Sequence, residues 1–267
     1  MMFRQDCHSR RWVLALAVCF AAPSASAGEP LWVEAERLSP FVYRADFHLD
    51  ERESLLGELR QLQRDLSESL ALEASDEPIE LYLFRDEKSY REYLSARFGD
   101  LPARRALYIK TTTGPGMVYA FRGPQFAIDL RHESTHALVH GALTEIPLWL
   151  DEGLAEYFEM PAEQRQAGHP HLPGILARLR AGELPRLETL ERLDDTTGLS
   201  RDDYAAAWAW VHFLHHGPPG AHGELVSYLR EVQQPSVQPV PLSTRLRRLL
   251  PQLERTFAEH LARHAPR

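Results

Sequence analysis

Apolar positions along the chain switch from a period of two to a period between three and four, and that switch sorts the sequence into two parts. Residues 31–47 (LWVEAERLSPFVYRADF) mix aromatic and β-branched side chains around Pro40, which predicts one or two short strands. Asp50 then opens a helical pattern carried by Leu55, Leu56, Leu59, Leu62, Leu66 and Leu70 at spacings of three and four. Ile79–Phe84 alternates between Pro78 and Asp86 and reads as a strand, and a helix from Glu87 to Phe98 follows it, ending at Gly99. Ala106–Lys110 and Met117–Phe121 read as two further strands around a Thr-Thr-Thr-Gly-Pro-Gly turn. From Gln125 onward the pattern is almost wholly helical, with breaks at Pro147, Pro161–Pro173, Pro185, Gly217–Gly220 and Pro235–Pro241. Strands with helices first and helices afterwards predict an α+β fold. The sheet part spans 28–121 and the helical part 122–267, without requiring two separate domains.

The first 27 residues stand outside this pattern. Arg4, Arg10 and Arg11 precede the apolar run Trp12–Ala22, and Ser24-Ala-Ser-Ala27 follows Pro23. A basic start, a short apolar stretch and an Ala-x-Ala site predict a secretory signal peptide cut after Ala27. The run is about half the ~20 residues needed to span a bilayer, so no stable membrane anchor is expected after cleavage. Lipidation at Cys19 is the weaker reading, because Val18 is not the small residue expected before such a cysteine. Cleavage removes Cys7 and Cys19, the two cysteines of the chain, so the mature protein is expected in the periplasm or outside the cell without a disulfide. The formal charge of -8 excludes a general nucleic-acid binder, which would present a basic face. At 267 residues the chain is long enough to bury a core unaided.

The candidate chemistry sits in 132–156. His132-Glu-Ser-Thr-His136 is an HExxH motif within the helical pattern of Phe126, Ile128, Leu130, Ala137 and Leu138. A spacing of four puts both imidazoles on one helix face, where two ring nitrogens can meet one ion. Glu133 points to a neighbouring angle and can serve as general base toward an activated water. Taken alone, the motif fits a pair of surface histidines too. Pro147-Leu-Trp-Leu-Asp-Glu-Gly-Leu-Ala-Glu-Tyr-Phe158 then begins a second helix, from which Glu152 can supply the third ligand of a His2Glu zinc set.

This pair of segments, HExxH and Trp-Leu-x-Glu-Gly-x-Ala-x-Tyr-Phe, resembles the gluzincin zinc metallopeptidases, the thermolysin and aminopeptidase N group, and most of all their smaller peptidase MA-like relatives. The resemblance implies one Zn2+ per chain held by His132, His136 and Glu152, with Glu133 as catalytic base and a peptide or protein as substrate. It also implies an oxyanion-stabilising role for Tyr204, which opens the helical run Asp203–Leu214 in the manner of aminopeptidase N-type enzymes, although the residue equally suits a half-buried tyrosine at a helix start. Glu156, one turn after Glu152, is either a hydrogen-bond acceptor for a ligating histidine or an ordinary solvated helix residue. The chain departs from the aminopeptidases at Gly114-Pro-Gly-Met-Val-Tyr-Ala-Phe121, which lacks the Glu and Asn of their amine-binding stretch. That difference argues against action on free N-termini, and Met117–Phe121 is expected instead as an edge strand able to pair with an extended peptide.

The remaining candidates have plainer readings. Asp151 suits the first turn of its helix, His140 a packing or surface position, His215 and His216 a helix C-terminus, and Trp149, Trp208 and Trp210 the core. The stretch Pro161–Pro173 is rich in Pro, Gly and His and is expected to be mobile beside the cleft. A non-catalytic alternative stands beside the peptidase: a zinc-stabilised peptide-binding or cell-envelope assembly module. Intact Glu133 separates the two, since a purely structural zinc site has no use for a general base.

Overall fold

The computed structural model describes residues 32–49, 52–99, 104–111, 114–167, 169–193, 199–234 and 236–265. The leader expected at 1–27 and Asp50 lie outside the described residues. Strands β1 (Glu34–Leu38) and β2 (Phe41–Ala45) are followed by helix α1 (Arg52–Leu70), strand β3 (Ile79–Phe84), helix α2 (Glu87–Phe98) and strands β4 (Ala106–Lys110) and β5 (Gly116–Phe121). Eight helices complete the chain: α3 (Phe126–Ala142), α4 (Leu148–Phe158), α5 (Leu172–Arg180), α6 (Leu187–Leu190), α7 (Arg201–His216), α8 (Ala221–Val232), α9 (Leu242–Leu249) and α10 (Leu253–Arg263). The class is α+β, as the change of period predicts.

The strands form one mixed sheet in the order β1-β2-β3-β5-β4, with β2, β3 and β5 parallel and β1 and β4 antiparallel at the two edges. Met117–Phe121 is therefore an interior strand, which corrects the expectation of an edge. The physical reason is visible in the strand itself: Gly116 to Ala120 are all buried, as befits a strand covered on both faces. Alternation assigns the two faces. Ile79, Leu81, Leu83, Val118 and Ala120 join the main core against α1 and α3, while Tyr82, Phe84, Met117 and Tyr119 face the other way into an aromatic cluster roofed by Tyr90 and Leu94 of α2. The six leucines of α1 are all buried. Asp86 caps α2 by accepting a hydrogen bond from Ser89 N at 2.8 Å, and Gly99 ends it at φ +74°, a left-handed conformation that favours glycine.

The helical half closes around α4, which packs on α3 and, most extensively, on α7. Trp149, Trp208 and Trp210 are buried there, and Trp210 stacks on Phe257 of α10 with ring centroids 3.8 Å apart. Gly153 sets how near α4 and α7 come. A Cβ at that position would sit 2.7 Å from the Ala207 carbonyl oxygen and 2.8 Å from Val211 Cγ2. A backbone oxygen cannot turn aside as a side chain can, so one helix would have to move. Gly153→Ala is expected to destabilise the protein by about 1–3 kcal/mol, despite the higher helix propensity of alanine. Chemical denaturation would check this, and an unchanged midpoint would contradict the helix-contact argument.

Candidate metal centre

Helices α3 and α4 bring His132, His136 and Glu152 together. Glu152 Oε2 lies 3.8 Å from His132 Nε2 and 3.6 Å from His136 Nε2. Those separations exceed a hydrogen bond, and they sit close to the roughly 3.4 Å edge of a tetrahedron with metal–ligand bonds of about 2.0–2.1 Å. The residues thus fit a metal ion through two imidazole nitrogens and one carboxylate oxygen. The other imidazole nitrogens point away from this gap, and each meets a carboxylate: His132 Nδ1 donates to Glu159 Oε2 at 2.9 Å, and His136 Nδ1 is 3.0 Å from Asp151 Oδ1. Carboxylates in that position fix the tautomer and aim the ring of a metal-binding histidine.

Neither carboxylate serves one histidine alone. Asp151 Oδ2 accepts from His140 Nε2 at 2.9 Å, and Glu159 Oε1 accepts from His169 Nε2 at 3.1 Å. Asp151 is indeed in the first turn of α4, yet its side chain is buried between two imidazoles rather than capping the helix. His140 also has a partner above it, since its ring stacks under Tyr108 of β4 at 5.7 Å. Glu159 carries no signal in the sequence reading. It sits at the C-cap of α4, where Arg131 of α3 holds its backbone carbonyl while pairing with Glu58 of α1. Glu156 faces His171 at 2.9 Å and His169 at 3.7 Å. The structure therefore gives the outer nitrogen of His132 to Glu159 rather than to Glu156.

The expectation of mobility over Pro161–Pro173 meets a network of contacts. Arg165 is buried, donates to the Met160 carbonyl, pairs with Asp65 of α1 and covers the Phe158 ring at 4.8 Å. His169 is buried as well and stacks on Trp208. Several groups of His, Asp and Glu along these elements are close enough to hold a metal ion. Within α3 and α4, the pairs formed by Asp151 and Glu159 stand near 3 Å, whereas Glu152 leaves a gap of ion size.

Charge follows from this arrangement. Burial pushes the His132 imidazole down, but the hydrogen bond to Glu159 and the charges of Glu133 and Glu159 outweigh it and carry the pKa up to about 10. His136 is driven down by burial and up by Asp151 and Glu152, and settles at about 9. Burial raises the Glu152 carboxyl above its ordinary value against the pull of His136 and His132. Glu159 is raised by burial and lowered more by His132 and His169, to about 2. Glu133 is half-buried and, among the described residues, makes no hydrogen bond or ion pair. Its charge nevertheless acts on His132, Glu152 and Tyr204. Tyr204, at the start of α7, is also within electrostatic reach of Glu152. Burial pushes its phenol up to about 12, and Glu152 adds to that, so the hydroxyl remains a donor at neutral pH.

Residues 127–238, from the first turn of α3 to beyond α8, match a family model described as a protein of unknown function (DUF1570). That span holds His132, Glu133, His136, Glu152 and Tyr204. No curated protein matches the chain. Among the described residues, no helix is long and apolar enough to cross a membrane.

Two expectations follow from the site. With pKa values of about 10 and about 9, both imidazoles carry a second proton at pH 7 in the metal-free protein. Metal uptake at pH 7 should then release close to two protons, against about half a proton for two imidazoles of ordinary pKa near 6.5, and affinity should climb with pH toward 9. Calorimetry in buffers of different ionisation enthalpy reads that number directly. Glu159→Gln and Asp151→Asn should each weaken divalent-metal binding roughly 10- to 100-fold, and wild-type affinity in either variant would remove the orienting role assigned to these carboxylates.

Proposed function

We propose that the chain is a zinc-dependent peptidase of the gluzincin kind, working in the periplasm or outside the cell after loss of its leader. The observation that carries this reading is the Glu133 carboxylate, which has no hydrogen bond or ion pair among the described residues, follows His132 in the chain and acts electrostatically on two members of the three-atom gap that fits a metal. Zinc held by His132, His136 and Glu152 supplies a Lewis acid that lowers the pKa of water and polarises a carbonyl. The protein's own groups do the rest. Glu133 takes the proton of the attacking water and passes it to the leaving nitrogen, so no covalent intermediate is needed. Tyr204 donates a hydrogen bond from its hydroxyl to the charge that develops on the carbonyl oxygen and keeps its proton.

The sheet supports an extended peptide as substrate. With β5 in the interior, β4 is the edge that flanks the ligand helix, and its Tyr108 lies against His136 and His140. An extended peptide can hydrogen-bond along the side of β4 that no strand among the described residues occupies, which suits an endopeptidase acting on unfolded or flexible chains. The free side of an edge strand recognises backbone rather than any particular side chain.

Glu133→Gln should reduce kcat by about 10²–10⁴ with zinc content intact. Tyr204→Phe should reduce kcat by about 10²–10³ with little change in KM. Cleavage of a peptide library, read by mass spectrometry for the native protein beside these variants, provides the check. Cuts lost in Glu133→Gln support a metallopeptidase. A zinc-loaded native protein that cuts nothing would overturn the enzyme and favour a non-catalytic peptide-binding or envelope-assembly module.

A further inference from the structure

A second histidine cluster lies away from the α3–α4 centre, where α10 crosses α7. His212 of α7 and His260 of α10 are buried at 1% and 0% exposure, and His264 follows one turn after His260. One ligand atom from each of the three lies within 4.8 Å of the others. The ring centroids of His264 are 4.7 Å from His212 and 4.9 Å from His260, so the imidazoles pack directly on one another.

Hydrogen bonding does not satisfy this cluster. His212 Nε2 faces the carbonyl oxygen of Gln166 at 3.4 Å, and a carbonyl only accepts, so that nitrogen carries the proton and His212 Nδ1 is a lone pair. His260 Nε2, 2.9 Å from His212 Nδ1, must then be the donor. The remaining nitrogen of His260, Nδ1, becomes a lone pair that is buried without a partner. The His264 imidazole makes no hydrogen bond among the described residues. The group thus keeps one buried lone pair, His260 Nδ1, with no proton to answer it, beside the partly exposed His264 imidazole; an unanswered buried lone pair is costly, and a cation shared by the three rings removes that cost. Gln166 already occupies the place of the acceptor that orients a ligating histidine. The cluster Glu156–His169–His171 differs, because His169 Nδ1 accepts from the His171 amide and both carboxylates nearby have donors.

We infer that His212, His260 and His264 form a second metal site, for a borderline divalent cation such as zinc or copper(II). Three neutral imidazoles suit those ions and not calcium or magnesium, which take oxygen ligands. An open groove of about 440 Å³, lined by His264, Arg263, His169 and Leu172 among others, borders the cluster at His264, the side from which an ion and a water as fourth ligand would enter. The bound ion joins the C-terminal helix to α7, the helix that packs on α4, and so clamps the end of the chain to the scaffold of the first centre. This inference is independent of the peptidase reading, since none of its residues belongs to the α3–α4 centre.

The test uses the protein with His132→Ala and His136→Ala, which remove the first centre, titrated with Cu2+ and Zn2+. One tight equivalent should remain, with nitrogen hyperfine structure in the Cu2+ electron paramagnetic resonance spectrum and a rise in melting temperature with Zn2+. Adding His264→Ala, a change at a partly exposed helix end that the fold can absorb, should abolish both signals. His260→Gln, assayed in the same background, should do likewise. Absence of tight metal in the parent double variant would overturn the site, and so would binding that survives both His264→Ala and His260→Gln.

Discussion

Ionisable groups buried between α3 and α4 constrain everything around them. Taking an imidazole or a carboxylate out of water costs several kcal/mol unless a partner answers it. Here the answer is alternation: His140, Asp151 and His136 form one chain of contacts, and His169, Glu159 and His132 form another. Each chain ends on an imidazole whose Nε2 points at Glu152. The carboxylates therefore do two things at once, neutralising buried histidines and turning their Nε2 atoms toward a common gap. Because both chains require α3 and α4 at a fixed separation, the helix contact through Gly153 and the anchoring of Glu159 by Arg131 become conditions of the chemistry as well as of the fold.

The sheet supplies that rigidity from the other side. Its two faces bury different material: mostly aliphatic side chains, with Phe41 and Tyr43 of β2, toward α1 and α3, and a mostly aromatic layer under α2, where Tyr82 stacks on Tyr119 at 4.8 Å. With β5 covered on both faces and parallel to β3, the sheet positions α3 through a strand that has no freedom to slip. The edge strand β4 is then free to present Tyr108 to the ligand helix without carrying the fold.

Much of this was legible in the sequence because it depends on local period. The leucine spacing of α1, the Asp86 cap and the Gly99 stop delimit elements by chemistry that acts within a few residues, and the strand boundaries follow from alternation. The spacing of His132 and His136 places two ligands on one helix face for the same reason. What escaped depends on how distant segments cross. Glu159 meets His132 only because α4 ends beside the start of α3, and Asp151 looks like a first-turn acid until the neighbouring helix brings two histidines to it. Strand order is likewise non-local, although Gly116–Phe121, with no polar alternation, carried a sign of an interior strand. The Pro, Gly and His content of 161–173 signals irregular backbone, but composition cannot report that Arg165 and His169 fasten that backbone to α1, α4 and α7.

The carboxylates near the centre divide by how they are occupied, and the division bears on function. Asp151, Glu156 and Glu159 each pair with histidine near 3 Å, and Glu152 faces the two ligating nitrogens. Glu133 stays half-buried with no partner among the described residues, although His132 stands next to it in the chain. A site built only to hold an ion gains nothing from a partly desolvated, unpaired carboxylate, and the two negative charges of Glu133 and Glu152 raise each other's cost. A group kept ready to take a proton from water needs this state: near the metal, accessible and not already hydrogen-bonded. That asymmetry among five carboxylates is the physical ground on which the proposed hydrolysis is preferred to storage or scaffolding.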